Sequence, residues 1–168
     1  MRHFFLDTNV VFDYLGRREP NGAAAAALFQ AAYEGRATLH VASLSFSHVF
    51  YTLRKQFGAQ PAREALRKLA RLVRVVAVDE EIVQAALDSE FADVEDAMQY
   101  FAALGVPDLV AIVTGDPKGF KAGELIGCQS YGGTAVAGCC VTPPVTAASA
   151  TAAGRGMEAP RPPYLVHP

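Results

Sequence analysis

The sequence predicts one α/β domain in three layers, a central parallel β-sheet flanked by helices. Three observations carry that reading. Short apolar runs at residues 3–6, 38–42, 75–78 and 109–113 alternate with longer stretches of helical periodicity. Such alternation implies parallel strands joined by right-handed helical crossovers. Two of the runs pass into acids, Asp7 and Asp116, beyond the carboxyl ends of the strands, where open parallel sheets bind their ligands.

The elements follow in order. His3 to Leu6 is a short buried strand that delivers Asp7, and Thr8 and Asn9 suit a helix N-cap. Val10, Val11, Tyr14 and Leu15 then recur at helical spacing. Residues 16–22 form a loop, rich in glycine, proline and charge. Ala23 to Tyr33 is a strong helix former, stopped by Gly35. Thr38 to Ala42 reads as the second strand. Ser43 and Ser45 are expected to cap the next helix, which carries Phe46, Val49, Phe50 and Leu53 on one face and ends at Gly58. Pro61 suits the first turn of another helix. There Ala62, Leu66, Leu69 and Val73 point inward, with Arg63, Arg67, Lys68, Arg71 and Arg74 outward. Val75 to Val78 is a β-branched run and predicts a buried strand. Asp79 opens a helix through Leu87, with acids at its positive end. Glu95 to Leu104 is a further helix, closed by Gly105, and Leu109 to Val113 is the fourth strand.

From residue 122 the composition changes. Glycine, alanine, threonine and proline dominate, and only Glu124, Arg155, Glu158 and Arg161 are charged. Val136 to Val141 is a candidate strand, and either it or Leu125-Ile126 could supply a missing edge strand. A domain at 1–121 is therefore expected, followed by a poorly ordered low-charge tail at 122–168.

Bulk properties narrow the classes. The chain has 168 residues, of which 51% are hydrophobic and 19% charged, enough for a real core. The net charge of -2 offers no global field for a polyanion, so any such partner must meet a local patch. Cys128, Cys139 and Cys140 lack zinc-ligand spacing, and their odd number suits a reducing compartment. Neither a signal peptide nor a membrane span is legible, so a cytoplasmic protein is expected.

Chemistry is expected where the acids gather. Asp7 and Asp116 follow strands, and Asp93-Val94-Glu95-Asp96 heads a helix. In a parallel sheet these ends share one edge, so Asp7, Asp96 and Asp116 converge from distant parts of the chain. Gathered carboxylates repel one another and call for protons or cations. Oxygen-only ligation selects hard ions, here Mg²⁺ or Mn²⁺, which activate water and clamp a phosphate oxygen. The plainer alternative is that each acid only complements a helix dipole, as Asp79, Glu80 and Glu81 do.

Three stretches carry a resemblance. Phe4-Phe5-Leu6-Asp7-Thr8-Asn9-Val10-Val11 resembles the opening motif of PIN-domain ribonucleases, particularly the VapC-like toxins of toxin–antitoxin pairs. Ala92 to Gln99 is similar to the family's second acidic block, and Ile112 to Phe120 to the stretch that closes its site. The resemblance covers about residues 3–121. It implies a PIN fold, a Mg²⁺- or Mn²⁺-dependent endoribonuclease acting on single-stranded RNA, a cognate antitoxin protein and a homodimer. By position Asp7, Asp96 and Asp116 are the metal-site acids, and Asp93, Asn9, His48 and Thr114 are accessory.

Two departures stand out. His48 occupies a position where the family usually carries an acid, which predicts weaker cation binding with a preference for Mn²⁺. Nothing from Gly123 on matches the family's short fifth strand, as a shifted reading frame or a fused extension would produce. Two other classes stay open on these grounds. One is a PIN-like module that binds RNA or protein without cleaving. The other is a metal-dependent phosphohydrolase, although Asn9 stands where an Asp-x-Asp pair would have its second acid. Ser43, Ser45, Ser47 and His48 do not face one another as a nucleophile and base would. The arginine stripe from Arg63 to Arg74 reads as a solvated face, with Arg54 and Lys55 better placed for RNA. Tyr51, Tyr100 and Phe101 read as core or interface.

Overall fold

The computed structural model describes residues 1–116 and 118–123, and the backbone of the strand at 127–128. The expectations for Leu125-Ile126, for Val136 to Val141 and for a poorly ordered tail lie outside these residues.

Five parallel strands form one sheet: β1 (Arg2–Leu6), β2 (Ala37–Ala42), β3 (Val73–Val76), β4 (Leu109–Val113) and β5 (Gly127–Cys128), in the order β3-β2-β1-β4-β5. Helices α1 (Thr8–Gly16), α2 (Gly22–Tyr33), α3 (Ser43–Phe57), α4 (Ala59–Leu72), α5 (Glu80–Leu87) and α6 (Val94–Leu104) connect them. The three-layer arrangement follows from the pleat of β1. Phe4 and Leu6 join a core with Val10 and Val11 of α1, Phe29 of α2, Val49 of α3 and Leu69 of α4. Phe5, on the opposite face, joins Tyr100 and Ala103 of α6, Ile112 and Phe120. Each fully buried side chain of this size contributes about 1.5–3 kcal/mol. Among the described residues no helix is long and apolar enough to cross a membrane.

Three details depart from expectation. The strand expected at 75–78 runs from Val73 to Val76, because α4 stops at Leu72. It is also an edge strand rather than a buried one, and Val75 is 51% exposed. A β-branched run has the same composition at an edge as at the centre of a sheet, so the pattern does not reveal its neighbours. Second, neither Ser43 nor Ser45 caps α3. Its N-cap is Ala42 with no side-chain bond, and the Ser43 hydroxyl instead accepts from Val78 N at 3.1 Å. Third, β5 adds a strand past Lys121, pairing Ile112 with Gly127 and Val113 with Cys128.

The registers set the working edge. Leu6 pairs with both Val41 and Val113, so β1, β2 and β4 end level with one another. Asp7 N donates to Val113 O at 3.0 Å, which carries the level one residue further.

Candidate active site

Asp7 lies at the centre of this edge. It is 2% exposed, and a buried carboxylate is costly without hydrogen bonds. Its Oδ2 accepts from the Thr114 hydroxyl at 2.7 Å and from Asn9 Nδ2 at 3.5 Å. Its Oδ1 accepts from Gln99 Nε2 at 3.3 Å and from Asn9 N at 3.4 Å. The last bond caps α1, so Asp7 is both a helix cap and a convergence point.

Thr114 ties Asp7 to the next acid. It is fully buried, and while its hydroxyl donates to Asp7 it accepts from Asp116 N at 2.9 Å. Lys118 N in turn donates to Asp116 Oδ1 at 3.1 Å. One hydroxyl thus fixes the spacing between two carboxylates that the sequence separates widely.

The third contribution comes from the start of α6. Asp93 is its N-cap, accepting from Glu95 N at 2.7 Å and Asp96 N at 3.3 Å. This turns Asp96 toward Asp7 and Asp116. Gly119 leaves room for it, since a Cβ on Gly119 would overlap Asp96 Oδ2. Partial burial raises the Asp96 carboxyl pKa to about 6, and Asp7, Asp93, Glu95 and Asp116 push it the same way.

Four residues that the sequence reading did not assign to the site build its frame. Thr8 N donates to Gln99 Oε1 at 3.0 Å. The Thr8 hydroxyl lies 2.8 Å from Ser45 Oγ and 3.2 Å from Glu95 Oε1. Glu95 Oε1 also meets His48 Nδ1 at 2.8 Å. Gln99 follows Asp96 by one helical turn, a spacing legible in the sequence. Glu95 stands inside the acidic block itself. The partnerships with Thr8 and Ser45 carried no such signal.

Asp7, Asp93, Glu95, Asp96 and Asp116 line a single open pocket with Thr8, Asn9, His48, Gln99, Phe12, Tyr51 and Thr52. All seven residues expected at the site stand in or beside it, with Thr114 buried behind Asp7. Tyr51, expected in a core or interface, is 53% exposed at the pocket's rim, whereas Tyr100 is buried. Among the described residues no group of three or more histidine, cysteine, aspartate or glutamate side chains stands ready to hold a metal ion. The donor chemistry nevertheless fits a hard divalent cation. The donors facing the pocket are mainly carboxylate oxygens, and no lysine or arginine lines it.

Known proteins share this fold. The structure is similar to VapBC2 from Rickettsia felis, solved bound to a promoter DNA fragment. That match has 13% identity and a TM-score of 0.57, covering 74% of this chain and 96% of that one. It is also similar to VapC20 from Mycobacterium tuberculosis, a toxin that cleaves the sarcin–ricin loop. Here identity is 17% and the TM-score 0.55, covering 73% of this chain and 96% of that one. At such identities the likeness establishes the fold. No curated protein sequence matches the chain. The model of the PIN domain matches residues 3–118, more than two thirds of the sequence, and the chain therefore belongs to the PIN-domain family.

Proposed function

We propose that this protein is a metal-dependent endoribonuclease that cleaves single-stranded RNA, the toxin of a toxin–antitoxin pair. The observation that carries the reading is the gathering of Asp7, Asp96 and Asp116 in one pocket, where partial burial and then the neighbouring acids raise the Asp96 pKa to about 6. Family membership supports a nuclease. Similarity to VapC20 and VapBC2 supports a toxin with an antitoxin partner, and a homodimer in the cytoplasm belongs to the same proposal.

In this reading Asp7, Asp96 and Asp116 hold Mg²⁺ or Mn²⁺. The bound ion would supply water activation and neutralise charge on the phosphate. The rest falls to the chain itself. Thr114, Asn9 and Gln99 orient Asp7 by donating to both its oxygens. Asp93 fixes the first turn of α6 and hence Asp96. His48 bonds Glu95 in the pocket, so the lining holds carboxylates beyond the three metal-site acids although His48 replaces the acid of α3. This count favours the active enzyme over an inactive binding module.

The test is cleavage of single-stranded RNA by the full chain with Mg²⁺, Mn²⁺ or EDTA. Cleavage is expected with either ion and none with EDTA. Asp7→Asn should abolish cleavage and retain the circular dichroism spectrum. Undiminished cleavage by folded Asp7→Asn would refute the reading.

A further inference from the structure

The acidic pocket presents a physical difficulty for a polyanion. Five carboxylates line it, and no lysine or arginine does. Each phosphate of a nucleic-acid strand is repelled there, apart from any phosphate that a cation clamps. The strand must therefore be held by positive charge nearby. The basic stripe of α4 does not supply it, since Arg63, Arg67, Lys68 and Arg71 are exposed away from the pocket lining.

α3 does supply it. One face of this helix rises out of the site. Ser45 is buried against Thr8, His48 meets Glu95, Tyr51 and Thr52 line the rim, and Lys55 follows one turn later. From Ser45 to Lys55 this is about 15 Å of helix. Tyr51 presents a half-exposed ring at the pocket mouth. Lys55 Nζ lies 4.1 Å from the centre of that ring and the Arg54 guanidinium 5.5 Å from it. Among the described residues neither cation is paired with a carboxylate. Phe12, which also lines the pocket, carries the Arg18 guanidinium at 5.0 Å. Both carbocyclic aromatic rings of the pocket lining thus carry a cation.

We infer that Tyr51, Arg54 and Lys55 form a nucleotide-binding subsite for single-stranded RNA, the ring stacking on a base and the two cations contacting the adjoining phosphates. The inference rests on the proposed RNA-cleaving function of the neighbouring acids. Stacking on an aromatic side chain is tolerant of base identity and suits single strands, whose bases are free to splay. Tyr51 lies one helical turn from His48, so a base on its ring belongs to a nucleotide next to the one in the pocket.

The experiment measures binding of a short end-labelled single-stranded RNA to the full chain by fluorescence anisotropy in EDTA. Tyr51→Leu is expected to weaken binding about 5- to 150-fold, the range for loss of one stacked base. Tyr51→Phe should bind nearly as the unaltered chain does, because it keeps the ring. Arg54→Ala with Lys55→Ala should flatten the log–log salt dependence by about 1.4, for two phosphate contacts on a single strand. All three positions are exposed, and thermal melting checks that each variant folds. Equal affinity of Tyr51→Leu and the unaltered chain would overturn the subsite, as would no RNA binding at all. So would a change confined to oligomer size by light scattering, which would make this face an interface between copies. Tyr51-dependent binding without cleavage would refute the nuclease and leave the subsite standing. Cleavage and binding indifferent to Tyr51 would refute the subsite alone.

Discussion

Gly119 lies directly against the carboxylate of Asp96. A Cβ at position 119 would overlap Asp96 Oδ2 and approach its Cγ at 3.1 Å. The obstacle is the far end of a side chain, so Asp96 can swing aside at small cost to the fold. We expect Gly119→Ala to lower cation affinity and RNA cleavage about tenfold or more, because small misplacements in a catalytic site have effects of this size. Its melting temperature in EDTA should stay within about 2 °C of the unaltered chain. Isothermal titration with Mn²⁺ checks the first part, and unchanged Mn²⁺ affinity would contradict it.

Thr114 is buried between Asp7 and the Asp116 backbone. Thr114→Val keeps the shape but removes the donor to Asp7 and the acceptor for Asp116 N. Leaving such groups unsatisfied costs about 1–3 kcal/mol. Urea denaturation should show that loss for Thr114→Val and a much smaller one for Thr114→Ser. Equal stability of both variants would remove Thr114 from its linking role.

Asp96 titrates near pH 6 in the folded chain against an ordinary value of 3.8. The folded state therefore holds its proton more tightly than the unfolded state does. The stabilising contribution of that proton is full below about pH 3.8 and disappears as pH rises through about 6. Above pH 6 Asp96 is ionised beside the other acids, and a divalent cation held there would relieve their repulsion. Mg²⁺ or Mn²⁺ should raise the melting temperature clearly at pH 7.5 and little at pH 5. An equal shift at both values would argue against cation binding by these acids.

His40 responds in the opposite sense. It is a buried residue of β2, beside Arg74 of β3, with Nε2 3.1 Å from His3 Nδ1. Burial, then His3 and Arg74, lower its pKa below the ordinary 6.5. Its contribution to stability is present above that value and is lost as pH falls through the folded pKa. His40→Gln should therefore flatten the acid side of the stability profile. Melting curves from pH 7.5 down to pH 4.5 compare the two chains, and parallel profiles would disprove this.

β5 covers the outer edge of β4. A chain ending at Lys121 loses this strand and exposes unpaired backbone groups of β4. We expect it to melt several degrees below a chain ending at Ser130, with more light scattering on heating. Coincident melting curves would show that the strand adds nothing.

Alternating apolar runs and helical stretches were sufficient to determine a parallel three-layer sheet, because crossover geometry admits few other arrangements. The same logic put Asp7 and Asp116 at one edge, and a helix start added Asp96. What the sequence could not supply was neighbourhood. Val75 belongs to a run that reads as buried, yet β3 has no strand beyond it among the described residues. Ser45 had the look of a cap but bonds Thr8, because α3 begins directly at the end of β2. Gln99 reaches Asp7 and Gly119 makes room for Asp96 only because α6 is rotated that way on the sheet. Tyr51 has the composition of a core residue, and only the packing of α3 leaves its ring at the pocket mouth. Local patterning fixes which elements form and which ends face which edge. Contacts between residues far apart in sequence depend on how helices pack and turn, and a linear pattern does not encode that directly.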